Sequence, residues 1–283
     1  MSASVADWWA TSICRMEPGV VELRGIPIQD LIGTTGLVPM IWLMTRGTLP
    51  DPREAALLEA AMVAAVDHGP QAPSIAIARM AATCGVGLNS AMASGINVLG
   101  DSHGGAGEQC VELLTEIVRL ESTGLSLTDA TNQAVGELRT KVRFVPGFGH
   151  RFHPVDPRRD PLLTLVDHAV TDGVVAGKHI RAARTVETLL NTNRTKPVPM
   201  NIDGATAVIY AELGFPPPLA RGLFVLSRSI GILAHAWEET TQGRRNKGPI
   251  PPTILPTYLT DQAARSSPRQ PAESGGAGAG PTL

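Results

Sequence analysis

Residues 203–241 read DGATAVIYAELGFPPPLARGLFVLSRSIGILAHAWEETT. Two apolar stretches, 203–213 and 218–241, are parted by Gly214 and the prolines at 216–218. Glycine followed by proline is the punctuation that ends one helix and opens the next. Neither stretch alternates apolar with polar residues, so both predict helices, and the second is long enough to run through a core. Arg228 lies inside it among Phe224, Val225, Leu226, Ile230, Ile232 and Leu233. A guanidinium in such company needs an anionic partner. Two partners are open: an internal carboxylate, or a polycarboxylate ligand gripped by the planar fork.

The same helical spacing extends outward through most of the chain. Residues 53–66 follow Pro52, 74–84 follow Pro70 and Pro73, and 104–121 carry a stripe of Cys110, Leu113, Leu114, Ile117 and Leu120. Ser126-Leu-Thr-Asp129 is an N-cap cluster opening a helix to 139. Residues 160–172 and 177–191 give two more helices, split by Gly173 and Gly177. Only 20–24 (VVELR) and 142–145 (VRFV) have β-type composition, so a mainly α fold with one small hairpin is expected. The end, AARSSPRQPAESGGAGAGPTL (263–283), lacks an apolar stripe and is expected to be a disordered tail.

Composition narrows the class. In 283 residues, 24 Lys+Arg against 26 Asp+Glu leave a net charge of −2, which argues against partners such as nucleic acid or an anionic membrane. No unbroken apolar run approaches the roughly 18 residues of a membrane span. The start, MSASVADWWATSICRME, lacks a basic segment followed by an apolar one, so a cytoplasmic protein is expected. Cys14, Cys84 and Cys110 share no C-x-x-C spacing; they read as core fillers, and no metal site is expected.

Three of the seven histidines sit at helix–loop junctions, where a side chain can face a cleft: His68 in VDHGP, His103 in DSHGGAGEQ and His150 in VPGFGHR. A lone histidine of this kind is more often a cap. Three together, with Asp203 in MNIDG and arginines at 151, 158 and 228, favour a site for an anionic substrate. The glycines at 104–107 are no dinucleotide fingerprint, because no strand precedes them.

Four blocks, in order over most of 8–241, resemble citrate synthases. DSHGGAGEQCVELL resembles their L-H-G-G-A-N-E motif, and VPGFGHRFHPVDPR their G-F-G-H-R…D-P-R motif. The stretch from MNIDG to AHAWEE resembles their N-V-D…A-R-T-x-G-W-x-A-H-W-x-E region, and ELRGIPIQDLI their R-G-Y-P-I-E-E-L segment. VDHGPQAPS is similar to the A-D-H-G-P segment of citryl-CoA lyases and of the lyase module of ATP-citrate lyase, and the short chain points the same way.

The resemblance implies a two-part helical fold within 1–262: a large part of 1–103 plus 206–262, and a small part of 104–205, with a cleft between them. It implies carbon–carbon bond chemistry on citryl-CoA, giving acetyl-CoA and oxaloacetate. The alternatives are citrate or 2-methylcitrate synthesis, and a non-catalytic subunit that binds a CoA thioester. His103 matches the histidine on the thioester oxygen, Asp203 the carboxylate that exchanges the methyl proton, and His150 the histidine beside the oxaloacetate carbonyl. His68, Arg158 and Arg228 match the carboxylate-binding set. Val145, Pro146, Gly147, Phe148 and Gly149 match the turn around the CoA adenine, and Arg151 is placed near CoA phosphate or a carboxylate. The family's late R-P-R arginine, supplied across a dimer interface, corresponds to GRRNKGPIPPTILP: either Arg244 or Arg245 replaces it or the contact is absent. ATP-citrate lyase modules lack a histidine at the position of His103, so the direction of reaction stays open. The implied partners are a CoA thioester, a 2-oxo or tricarboxylic acid, and further copies of the chain, with no tightly bound cofactor.

Overall fold

The computed structural model of the chain describes residues 5–149 and 155–258. The expected tail at 263–283 lies outside them. Residue contacts divide the chain into two compact units, 1–59 and 60–283.

The first unit opens with α1 (Val5–Trp8) and a three-stranded antiparallel sheet of β1 (Cys14–Glu17), β2 (Val20–Leu23) and β3 (Ile26–Pro27). The β-type run at 20–24 thus becomes the middle strand of three, where one small hairpin was expected. Between β2 and β3, Arg24 and Gly25 both have positive φ (51° and 79°), the conformation of a type I′ turn, whose twist suits tightly paired strands. Arg24 is held in that unusual state by its guanidinium, which donates to the Met44 carbonyl at 2.6 and 3.1 Å and to Ser12 Oγ at 2.9 Å. Two helices follow, α2 (Ile28–Leu31) and α3 (Leu37–Arg46), the latter burying Val38, Trp42 and Leu43.

α4 (Pro52–Ala65) leads into the second unit, which is helical. α5 (Pro73–Thr83) and α6 (Leu88–Asn97) form an antiparallel pair around Ile75, Ala78, Ala82 and Ala91. α7 (Ala106–Ser122), α9 (Arg159–Thr171) and α10 (Lys178–Asn191) pack around α11 (Ile202–Glu212), which is buried along nearly its whole length, and α8 (Leu127–Arg139) packs on α7 and α10. α12 (Pro217–Thr241) packs along α5, α6 and α7 and adds Ile232 and Ala236 to the first core. By length and composition α12 could cross a membrane. Its packing and its inward-facing Arg228, 6% exposed, tie one face of it into the protein, while Leu226, Ile230, Leu233 and Trp237 are exposed.

Helix ends match the sequence reading to within a residue or two, because the start signals are physical: Ser126 Oγ accepts from the Asp129 amide at 3.1 Å, as a cap does. Two expectations need correction. Residues 142–145 form no strand: Arg143 stacks on the exposed Phe144 (5.1 Å to the ring centre), and the chain turns at once into Pro146 and Gly147. Of the three cysteines, Cys110 is core, but Cys14 is half-buried and Cys84 exposed.

Candidate active site

His103 lies on the tight link between α6 and α7, where Gly100 N–H donates to the His103 carbonyl at 2.9 Å. The first amides of a helix have no partner inside it. At α5 no side chain caps that end, and the Ser74 amide instead donates to His103 Nε2 at 3.2 Å, with Ser74 Oγ 3.0 Å from the same nitrogen. An amide can only donate, so Nε2 presents its lone pair and the ring proton sits on Nδ1. Burial, and then the charge of Arg228, pull the imidazole pKa below its ordinary value. His103 is a neutral donor through Nδ1.

Asp203 stands in the first turn of α11. Asn201 caps that helix: its Oδ1 accepts from the amides of Asp203 at 2.9 Å and Gly204 at 3.2 Å. The turn of Val145, Pro146, Gly147, Phe148 and Gly149 lies against this helix start. Gly147 N–Cα geometry is left-handed (φ +84°), and a Cβ there would come within 2.7 Å of Cys110 Sγ and 2.9 Å of Gly204 Cα. Only glycine fits. Gly149 N–H donates to the Pro199 carbonyl at 2.7 Å, while Val145 and Phe148 are buried. Although Asp203 keeps some open surface, burial of its carboxyl is the leading influence and pushes its pKa up, against the pull of Arg228 and then Arg158. Desolvation favours the protonated acid.

Arg228 answers the question left by the sequence. Its Nε donates to the Ala65 carbonyl at 3.1 Å and its plane stacks on Phe224, 5.0 Å from the ring centre. Among the described residues, no carboxylate is in salt-bridge contact with it. Burial, first, lowers its pKa, opposed by the charges of Asp203 and Asp67. A buried guanidinium with these neighbours is a ready site for an anion. Arg158, at the start of α9, is held differently: Nε and one terminal nitrogen grip the buried Asp156 carboxylate at 2.9 Å each. His68 is exposed in the loop after α4, one residue beyond Asp67. Asp67 accepts from the Gly69 amide at 3.1 Å and meets His235 Nε2 at 3.3 Å.

His103, Asp203, Arg158 and Arg228 therefore form one electrostatic group, since the Arg228 charge acts on both the histidine and the acid. His150 and Arg151 lie outside the described residues. Arg244 and Arg245 are exposed just past α12, where the next two amides, of Asn246 and Lys247, bind Thr83 at 3.1 and 2.9 Å. That is the far end of α5 from Ser74, about 13.5 Å away at 1.5 Å per residue. Among the described residues neither makes a contact with the group.

Residues 41–251 match the family described as citrate synthase, C-terminal domain. The chain belongs to the citrate synthase family. All the sequence-derived site residues, from 68 to 245, fall inside that match. A solved structure of citryl-CoA lyase from Hydrogenobacter thermophilus is 31% identical, with a TM-score of 0.74, covering 91% of this chain and 99% of its own. ATP-citrate synthase subunit 1 of Sordaria macrospora is 31% identical over 231 residues, 75% of this chain and 32% of the relative. The glyoxysomal citrate synthase of Cucurbita maxima is 28% identical over 206 residues, 70% of this chain and 37% of the relative. The chain thus spans about a third of the length of these two curated relatives.

The sequence reading missed Ser74, Asp156 and Asn201. Asp156 had a signal, since it stands in the D-P-R motif two residues before Arg158. Asn201 directly precedes a helix, which marks a cap. Ser74 acts mainly through its main chain, and that leaves no trace in residue type.

Proposed function

We propose that the chain is a citryl-CoA lyase-type enzyme, cleaving citryl-CoA or a related 3-hydroxyacyl-CoA to acetyl-CoA and oxaloacetate. The observation that carries this reading is the buried Arg228, free of any carboxylate contact among the described residues, whose charge reaches both His103 and Asp203. Arg228, Arg158 and His68 bind the substrate carboxylates. A base, His150 by resemblance, takes the hydroxyl proton. The bond between the acyl α-carbon and the carbinol carbon breaks, leaving a ketone on oxaloacetate and an electron pair on the thioester enolate. His103 Nδ1–H donates to the enolate oxygen, and the protonated Asp203 delivers its proton to the α-carbon to complete the methyl group. The Val145–Gly149 turn receives the CoA nucleotide. The raised pKa of Asp203 supports cleavage, because the acid form is the one this direction consumes.

The same groups run in reverse give citrate or 2-methylcitrate synthesis, and the neutral His103 donor on the Ser74 amide favours keeping that second reading. Two incubations decide between them, one with citryl-CoA and one with acetyl-CoA plus oxaloacetate. The expected result is acetyl-CoA and oxaloacetate from the first. Rapid release of free CoA from the second overturns a lyase-only role, and silence in both favours a non-catalytic CoA-thioester binder. The distance of Arg244 and Arg245 from their own site supports a homodimer or larger homo-oligomer in which one copy completes the other's site. Light scattering in solution tests this, and a monomer mass would remove it.

A further inference from the structure

Asn201 does more than cap a helix. On one side its Oδ1 accepts from the amides of Asp203 (2.9 Å) and Gly204 (3.2 Å). On the other, its own amide donates to the Gly147 carbonyl at 2.9 Å and its Nδ2 to the Gly149 carbonyl at 2.6 Å. These two sides belong to different pieces of chain: the start of α11, which carries Asp203, and the turn that leads into His150. Gly147 and Gly204 meet backbone to backbone, so no side chain of their own interlocks the pieces. A cap alone requires only an acceptor, which serine or aspartate supplies as well. Asparagine adds a donor in the same rigid plane, and here that donor is spent on the turn.

We propose that Asn201 is a positioning residue, fixing the Asp203 carboxyl against the Val145–Gly149 turn so that proton transfer meets the bound thioester in register. This deepens the reading of Asp203 and of the turn proposed above, and rests on it.

Asn201→Ser and Asn201→Asp both keep an acceptor for the cap and both delete the Nδ2 amide that reaches the Gly149 carbonyl. Each is assayed for kcat and KM with citryl-CoA at a temperature where circular dichroism shows it fully folded, and for amide hydrogen exchange. In both variants kcat is expected to fall about tenfold or more, since small misplacement of a reacting group is expensive in rate. Exchange is expected to quicken over 145–149 while the start of α11 stays protected. Asn201→Ala, which also loses the cap, should melt lower than either. A folded Asn201→Ser with kcat within about twofold of wild type overturns the proposal. If the wild type turns over neither substrate mixture, the reading of the reaction falls instead. The exchange measurement then judges Asn201 alone, and unchanged exchange over 145–149 overturns its part as well.

Discussion

Asp203 is subject to two opposed influences. Burial favours its neutral acid, whereas Arg228 and Arg158 favour the carboxylate, and burial prevails. Its folded-state pKa therefore lies above the unfolded one. The stability this group contributes is complete below the ordinary carboxylate range and is lost as pH rises through the folded-state value. Asp203→Asn removes that loss. The variant should melt a few degrees above wild type at neutral pH, with the gap closing in acid, while turnover falls by about a hundredfold or more. An equal or lower Tm at pH 7 would contradict the assignment. The two directions of reaction should also show opposite limbs: cleavage slows as pH rises and Asp203 loses its proton, and condensation slows as pH falls.

At the scale of elements, the contact between the 145–149 turn and the start of α11 leaves no room for an added Cβ. Gly147→Ala is expected to destabilise the fold by about 1–3 kcal/mol in denaturant melts, from a strained φ together with overpacking. Adding Cys110→Ala should not rescue it, because Gly204 Cα stands in the way as well as the thiol; full rescue would refute that geometry. Most helices here were legible because periodicity and punctuation agreed, as at Ser126 and at Pro216–Pro218. α1, α2, α3 and α6 were not; in α6, LNSAMASGIN has little apolar pattern and many weak helix formers, and its helix is stabilised by packing on α5. The VRFV stretch was misread because β-type residues alone do not create a partner strand. At the site, residue identities were legible from motifs. Their couplings were not: Ser74 and His103 are 29 positions apart, and Asn201 and Gly149 are 52 apart.

For the molecule as a whole, a net charge of −2 means no long-range field draws in a polyanion. Affinity must come from local buried cations, and Arg228 is the deepest of the described site arginines. Citrate or oxaloacetate at a hundred times its Kd should stabilise the wild type by about 2.7 kcal/mol, a rise in Tm of about 5 °C. Arg228→Met should melt at or above wild type without ligand, because it removes a desolvated charge that has no ion-pair partner among the described residues, and should lose the ligand-dependent rise. A variant that keeps the rise would show that another group carries the anion.

The proton on His103 is assigned by a peptide group, and mutation cannot ordinarily delete a peptide group. Ser74→Ala takes away a hydroxyl but leaves the amide, so the imidazole should keep its tautomer and most of its activity. Proline is the one substitution that erases the donor. α12 itself begins with consecutive prolines at 216–218, so a Pro-Pro start at 73–74 is a backbone this fold already builds. Ser74→Pro should thus keep the helix start and yet behave as a histidine lesion, because the proline Cδ takes the place of the amide hydrogen and pushes the imidazole off its 3.2 Å contact. Nitrogen-15 shifts of the imidazole would register the loss of that contact directly. The site's acid–base state is in this sense inherited from helix geometry, beyond the ordinary reach of side-chain drift.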